Sequence, residues 1–314
     1  MIKSQISKYM KQQPQLLILL FLITILSITT PKFATAANFL NILKQVSVIA
    51  IISSGLTMVA IGGCLDLSVG SALSLLNVIS VTMQLRNDSL AVILPIVVAV
   101  FIGLFNGLIV TAFDANSIIV TLGSLSFFAG LALFYTNGAI IIGKSGSWYA
   151  LIAQGKVVGF PIHVLIFIAI AVIYEFVLKK TSFGRSLFYI GTNLEAARIV
   201  GIRTKLIRTI TFLVSSMSVG IAAIILGSRM ISGTPVAGVG FEFDAITAIV
   251  IGGTSLFGGK GGIRNTIVGV LLLAVIINAL TLYNIPFAFQ NISKGLLIII
   301  AVIADVKSRG RLEK

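Results

Sequence analysis

Asp66 is the residue with the most chemical potential in this chain, because it is the one carboxylate placed near the interior of an apolar region. It stands in Gly62-Gly-Cys-Leu-Asp66-Leu-Ser68-Val-Gly70-Ser71. Two roles suit it. Its carboxylate can cap the helix that follows by accepting hydrogen bonds from the amides of Ser68 or Val69. Alternatively it belongs to a polar path, since an unpaired charge in hydrocarbon costs from about 2.5–3.5 kcal/mol upward and is kept only where it is used. Glu242 and Asp244 open a later apolar segment, where acids either complement the positive end of a helix dipole or offer docking points to an external protein. Glu175 and Lys179, four residues apart, form an exposed helix pair on this reading.

Other chemistry lacks material. His163 is the single histidine, so a histidine metal site or proton relay cannot be built, and no metal or other cofactor is expected. The lone Cys64 excludes an intrachain disulfide and reads as a small packed hydrophobe. Gly253 to Gly261 superficially resembles a phosphate loop. However, Thr254 occupies the position of the first glycine, and Gly261 follows Lys260 where Ser or Thr is required. The chain therefore does not bind ATP by itself, and it offers no catalytic cluster for an enzyme.

These residues are embedded in a chain of 314 residues that is 57% hydrophobic and only 10% charged, against about 25% charged in soluble domains. That composition excludes a soluble globular protein and implies an all-α polytopic membrane protein, because an open sheet cannot satisfy its backbone in lipid. The formal charge of +14 then reports topology and affinity for anionic lipid rather than nucleic acid. Ten apolar segments can be read: 16–30, 46–61, 69–84, 90–112, 117–135, 163–178, 209–228, 243–257, 265–283 and 290–305. The first follows Lys3, Lys8 and Lys11 and precedes Ala34-Thr-Ala36, a pattern shared by signal peptides and uncleaved first spans; an uncleaved span is expected.

Two segments, 46–61 and 243–257, are too short at about 1.5 Å per residue to cross a hydrocarbon layer of about 30 Å. Each runs into a glycine break, Gly62 to Ser71 and Gly252 to Gly262. Short, glycine-interrupted spans in both halves of a chain point to a transport path, because broken backbone is tolerated at membrane depth only against protein or water. The path candidates are Asp66, Ser68, Gly70, Gly252 and Gly253. Asn106, in Phe105-Asn-Gly107, is a candidate either for solute contact or for interhelical hydrogen bonding.

The longest hydrophilic interruption, residues 179–208, carries Lys179, Lys180, Arg185, Arg198, Arg203, Lys205 and Arg208 against Glu195 alone. Positive loops resist translocation, so this one is cytoplasmic, and with ten spans both termini are cytoplasmic and residues 136–161, with Trp148 and Tyr149 as aromatic anchors, are external. Within it, good helix formers between Gly191 and Gly201 predict a short helix suited to docking a cytosolic partner.

The chain resembles the permeases of ribose-type ABC importers, the sugar branch (ribose, xylose, autoinducer-2) of the branched-chain amino acid/ribose permease family. The resemblance rests on Gly63 to Ser71, Ile119-Val-Thr-Leu-Gly123, Phe183-Gly-Arg185, Gly191 to Ile202 and Asp244 through Gly261, collinear over about residues 46–306. It implies an ABC importer permease fold in a single membrane domain, residues 1–314, of the bacterial inner membrane, with no enzymatic activity of its own. The implied cargo is a monosaccharide, ribose-like in the first instance. Implied partners are cytosolic ABC ATPase subunits, a periplasmic sugar-binding protein, and a second copy or sister permease. Gly191, Asn193, Glu195, Ala196, Ala197 and Gly201 would form the element that couples to the ATPase, and Glu242 and Asp244 would meet the binding protein. Cys64 stands where glycine is usual, Asn116 where proline is common, and Ala129 where arginine is frequent. An ion-coupled transporter is the rival reading, disfavoured by the scarcity of buried carboxylates.

Overall fold

The computed structural model describes residues 14–310. Lys3, Lys8 and Lys11 and the extreme C-terminal residues, on which the expected placement of the termini partly rests, lie outside this range. In chain order the elements are α1 (Pro14–Thr29), α2 (Ala36–Ile61), α3 (Val69–Gln84), α4 (Asp88–Ala112), α5 (Ser117–Thr136), β1 (Ile141–Ile142), α6 (Trp148–Gln154), β2 (Lys156–Val157), β3 (Phe160–Pro161), α7 (Ile162–Lys180), α8 (Ser182–Thr192), α9 (Leu194–Ile199), α10 (Thr204–Met230), β4 (Ser232–Gly233), α11 (Phe241–Ile251), α12 (Ile263–Leu282) and α13 (Phe287–Gly310). The fold is an all-α membrane bundle; β1 pairs with β4 and β2 with β3, each as an antiparallel ladder of two residues per strand. Among the described residues, six helices (α2, α4, α5, α7, α10 and α12) are long and apolar enough to cross a membrane.

The core centres on α2 and α10, which bury most of their length; they pack on each other, α10 also on α3 and α4, and α2 also on α7, α11 and α12. Small residues allow the approach. Gly103 and Gly107, four apart on α4, lie against the α10 backbone at Leu213 and Thr209, so a Cβ at Gly103 would stand 2.6 Å from the Leu213 Cα. Lipid tails are as apolar as the side chains, so dispersion and interhelical hydrogen bonds must hold such a bundle. One such bond pair is reciprocal: Asn38 and Asn278 exchange amide hydrogen bonds of 3.0 and 2.8 Å between α2 and α12.

Several expectations need correction. The second apolar segment is not short: α2 begins at Ala36, where Thr35 Oγ1 accepts from the Asn38 amide. At 26 residues it rises about 39 Å. Asn38, Asn41, Lys44 and Gln45 hid its first turns from an apolar-run reading. The basic stretch is not a loop around one helix but two helices, α8 and α9, divided at Asn193; Gly191 lies in the last turn of α8. Trp148 is exposed as an interfacial anchor would be, but Tyr149 is buried, its hydroxyl hydrogen-bonded with Ser80 Oγ at 2.8 Å and donating to the Ile224 carbonyl at 3.2 Å. Glu175 and Lys179 are not an exposed pair either: Glu175 is buried and is shared by Lys179 and Arg264.

One end of the bundle carries α8, α9 and both glycine breaks; the other carries β1–β4 and α6. From the second end the chain does something not foreseen. After β4, residues 234–240 run as coil down the side of α3 into the bundle, the Thr234 amide donating to Asn77 Oδ1 (3.0 Å) and the Gly238 amide to Ser74 Oγ (2.9 Å). By Glu242 the chain has reached Gly70, in the first turn of α3. The α3 side chains Asn77 and Ser74 supply the acceptors that this non-helical backbone needs at depth. Helix α11 therefore starts inside the bundle, not at its surface.

Candidate translocation path and coupling site

The break between α2 and α3 holds a continuous chain of buried polar groups. Asp66 Oδ1 accepts from the Ser68 amide (3.0 Å) and from Ser68 Oγ (2.6 Å), the helix-start geometry that the spacing predicts. Ser68 Oγ in turn accepts from Asn106 Nδ2 on α4 at 2.8 Å, and Asn106 Oδ1 accepts from Ser124 Oγ on α5 at 2.5 Å. The linker backbone is satisfied by α5, since the Leu65 and Leu67 amides donate to Ser117 Oγ and Thr121 Oγ1, each at 3.1 Å. Asp66, Ser68 and Asn106 are thus brought together and sealed, each at most 1% exposed. Asp66 Oδ2 has no hydrogen-bond partner among the described residues. Asn106 spends its amide holding three helices together, so contact with a passing solute would require these bonds to open.

A buried carboxylate held by one serine makes a direct test. Asp66→Asn keeps an acceptor for Ser68 and is expected to retain most folded protein. Asp66→Leu orphans the Ser68 amide and severs the chain toward Asn106, a loss of about 1–3 kcal/mol for each buried group left unsatisfied. Quantifying monodisperse protein after extraction checks this; equal yields for the two variants would remove the structural role.

The remaining path candidates lie elsewhere. Gly70 faces Glu242 and Gly238, and an added Cβ there would overlap the Glu242 carboxylate. Gly252 packs against the backbone of Asn265 on α12, and Gly253, at φ +84°, lies near the Gln15 side chain. Glu242 and Asp244 are both in the first turn of α11, as expected, but they are buried at 6% and 8% exposure. They are therefore not displayed to an external protein, and the docking reading for them is corrected: a start deep in the bundle hides what a start at the surface would show. Glu242 Oε1 accepts from the Gly240 amide at 3.3 Å, while Asp244 Oδ2 pairs with Lys294 of α13 at 2.9 Å. The pair borders an open cavity of about 710 Å³ whose walls include Phe243, Phe287 and Asn291. Sequence spacing could not have found Lys294, which lies fifty residues away.

The two breaks and the basic stretch meet at one point. The amide of Gly259 donates to the carbonyl of Ile61, the last residue of α2, at 2.9 Å. Gly191 lies so close that a Cβ would overlap that carbonyl and the Gly259 nitrogen, and Gly258, at φ +92°, lies against Gly191 and Gly63. Three backbones thus touch where no side chain intervenes. From this junction the chain continues into α9. Asn193 Oδ1 caps α9 through the Ala196 amide (2.9 Å), and Gly201, at φ +80°, ends it; Gly201 and Ile202 donate to the carbonyls of Arg198 and Ala197 in a Schellman arrangement. Arg198 pairs with Glu195 at 3.0 Å and with Asp114, in the α4–α5 turn, at 2.8 Å. Ala196 is exposed but Ala197 is buried, so only one of the two small residues faces outward. Beside Ala196, Tyr189, Ile199 and Val200 are also exposed, an apolar patch on a basic surface.

Comparison with known proteins agrees with this architecture. Residues 38–302 match the family described as branched-chain amino acid transport system / permease component. The chain is 36% identical over 306 residues to the ribose import permease protein of Haemophilus influenzae, covering 96% of this chain and 95% of that one. It is also 36% identical to the ribose import permease protein of Bacillus subtilis over 292 residues, 92% and 91% of the two chains. The L-arabinose transport system permease protein of Escherichia coli is 34% identical over 292 residues, 89% and 85% of the two chains. No solved structure matches.

Proposed function

The chain belongs to the branched-chain amino acid transport system / permease component family, and on that premise we propose that it is the membrane-spanning subunit of an ATP-driven importer for a ribose-like pentose. Its relatives include ribose import permease proteins and an L-arabinose transport system permease protein, which favours a pentose over other solutes. The reading has the chain as a single domain crossing the inner membrane ten times. The six long helices are joined by α1, α3, the half-length α11 and α13, with the termini and α8–α9 cytoplasmic and residues 136–161 outside. ATP is hydrolysed on separate cytosolic subunits that grip α9. A second copy or sister permease completes the path, and a binding protein delivers sugar from outside. Autoinducer-2 or another sugar is the alternative cargo. The cavity beside Asp244 and Lys294, with Asn291 and the rings of Phe243 and Phe287, offers hydrogen bonds and apolar faces suited to a polyol and supports a path along this side of α11.

The observation that carries the proposal is the contact of Gly191 with both glycine breaks. A helix held by an ATPase would, through that contact, move the inner ends of α2 and α11 together, as alternating access requires. The test is uptake of labelled ribose by vesicles holding the whole transporter. Uptake is expected to need ATP and binding protein and to survive collapse of the proton and sodium gradients; uptake driven by either gradient instead would establish the ion-coupled rival. In a Cys64→Ala background, Val158→Cys is expected to react with an impermeant maleimide in intact cells, and Val200→Cys only after permeabilisation. The reverse pattern would invert the topology.

A further inference from the structure

The groove between α7 and α12 is not used by the transport reading, and its chemistry is specific. It is an open groove of about 460 Å³ at the end of the bundle that carries α8 and α9. Phe167, Ala171 and Ile263 form its floor, and Val172 and Phe176 stand exposed along it. At its mouth the chemistry changes abruptly. Glu175 is buried there, with Lys179 Nζ at 2.5 Å and Arg264 Nε at 3.2 Å from the same carboxylate oxygen. Lys180 also lines the mouth and makes no ion pair among the described residues. Three cations therefore face one carboxylate, and Arg264, engaged through Nε, keeps its terminal nitrogens for another acceptor.

We propose that this groove holds one anionic glycerophospholipid, its phosphate at Lys180 and Arg264 and an acyl chain along α7. The dimensions agree: Phe167 to Phe176 rises about 14 Å, close to the half of a roughly 30 Å hydrocarbon core that belongs to one leaflet. The cations stand where that leaflet's headgroups begin, on the side where basic pockets between helices meet acidic lipid. A second copy of this chain is a poor occupant, since it would present the same cations, and a free phosphate would leave the apolar floor uncovered. Glu175 has a definite part in this. By holding Lys179 and the Nε of Arg264 it fixes the guanidinium at the mouth, so its negative charge orients the site rather than cancelling it. The proposal depends on the chain spanning a membrane and not on what it carries.

The test uses the full chain in detergent and native mass spectrometry with phosphatidylglycerol, phosphatidylcholine of the same acyl length, and inorganic phosphate. Wild type is expected to prefer phosphatidylglycerol. Lys180→Gln/Arg264→Gln is expected to weaken that binding about thirtyfold while leaving phosphatidylcholine unchanged. Lys179 stays in place to pair Glu175, and both substituted side chains are exposed, so the fold is preserved. Lys180→Gln alone is expected to lose about fivefold, and Val172→Trp, which fills the groove, to weaken both lipids. Equal binding of the two lipids by wild type, undiminished phosphatidylglycerol on the double variant, or displacement by inorganic phosphate would each overturn the proposal.

Discussion

Gly191→Val is expected to leave the permease in the membrane and abolish ATP-driven uptake. Gly191 is the point at which α8 touches the Ile61 carbonyl and the Gly259 amide, and there is no space there for even one methyl group. A valine must push α8 off the end of α2, breaking the approach that keeps the Ile61–Gly259 hydrogen bond between the two breaks. Overpacking of this kind costs about 1–3 kcal/mol, and the strained hydrogen bond adds about 1 kcal/mol. Of the long helices only the last residue of α2 is touched there, and the packing of α2 on α10 lies deeper in the bundle, so the loss should fall on the junction and not on insertion. Gly146→Ala, in the stretch 136–161 and outside the coupling element, is the control. It imposes a side chain at positive φ in open space, which costs about 1–2 kcal/mol locally and should leave uptake near wild type. Uptake by Gly191→Val within about twofold of wild type would mean that the three backbones do not move as a unit, and the proposed transmission would fail.

What the sequence disclosed and what it hid divide along physical lines. The apolar runs, the glycine breaks and the basic stretch were legible because each is a local excess of one property over ten or more residues. The Asp66 cap was legible because an acceptor two residues before an amide is a local geometry. The descent of residues 234–240 was not, since its acceptors, Asn77 and Ser74, belong to a helix more than 150 residues earlier. That one omission put Glu242 and Asp244 on the outer surface in the sequence reading, whereas the coil has already carried them inside. The junction of Gly63, Gly191 and Gly258 was hidden for the same reason. Each glycine could be read as a break or a turn, but that the three exist to let separate backbones touch is visible only in three dimensions. Even the start of α2 was obscured by polar residues, one of which, Asn38, faces the bundle and finds its partner in Asn278, 240 positions away.

Ala196→Glu and Ala197→Glu, adjacent substitutions of the same kind, are expected to fail in opposite ways. Ala197 is 2% exposed and faces the bundle, so a glutamate there buries a charge without a partner; little folded permease should be recovered. Ala196 faces outward on the same short helix, between the Asn193 cap and Val200, and tolerates a glutamate as far as folding is concerned. If an ATPase groove closes over Tyr189, Ala196 and Val200, the new carboxylate beside Glu195 would be desolvated without a partner at a central interface position. Losing such a site costs about 2 kcal/mol or more, roughly thirtyfold in affinity. The Ala196→Glu permease should therefore insert and purify as a monodisperse protein while losing co-purifying ATPase and ATP-dependent uptake. The exposed apolar side chains around it argue for this outcome, because Ile199 and Val200 in water have no structural use on a surface otherwise rich in lysine and arginine. Retained ATPase association by Ala196→Glu would move the coupling contact off α9. The Arg198–Asp114 pair, which ties α9 to the α4–α5 turn, would then have no motion to transmit from it.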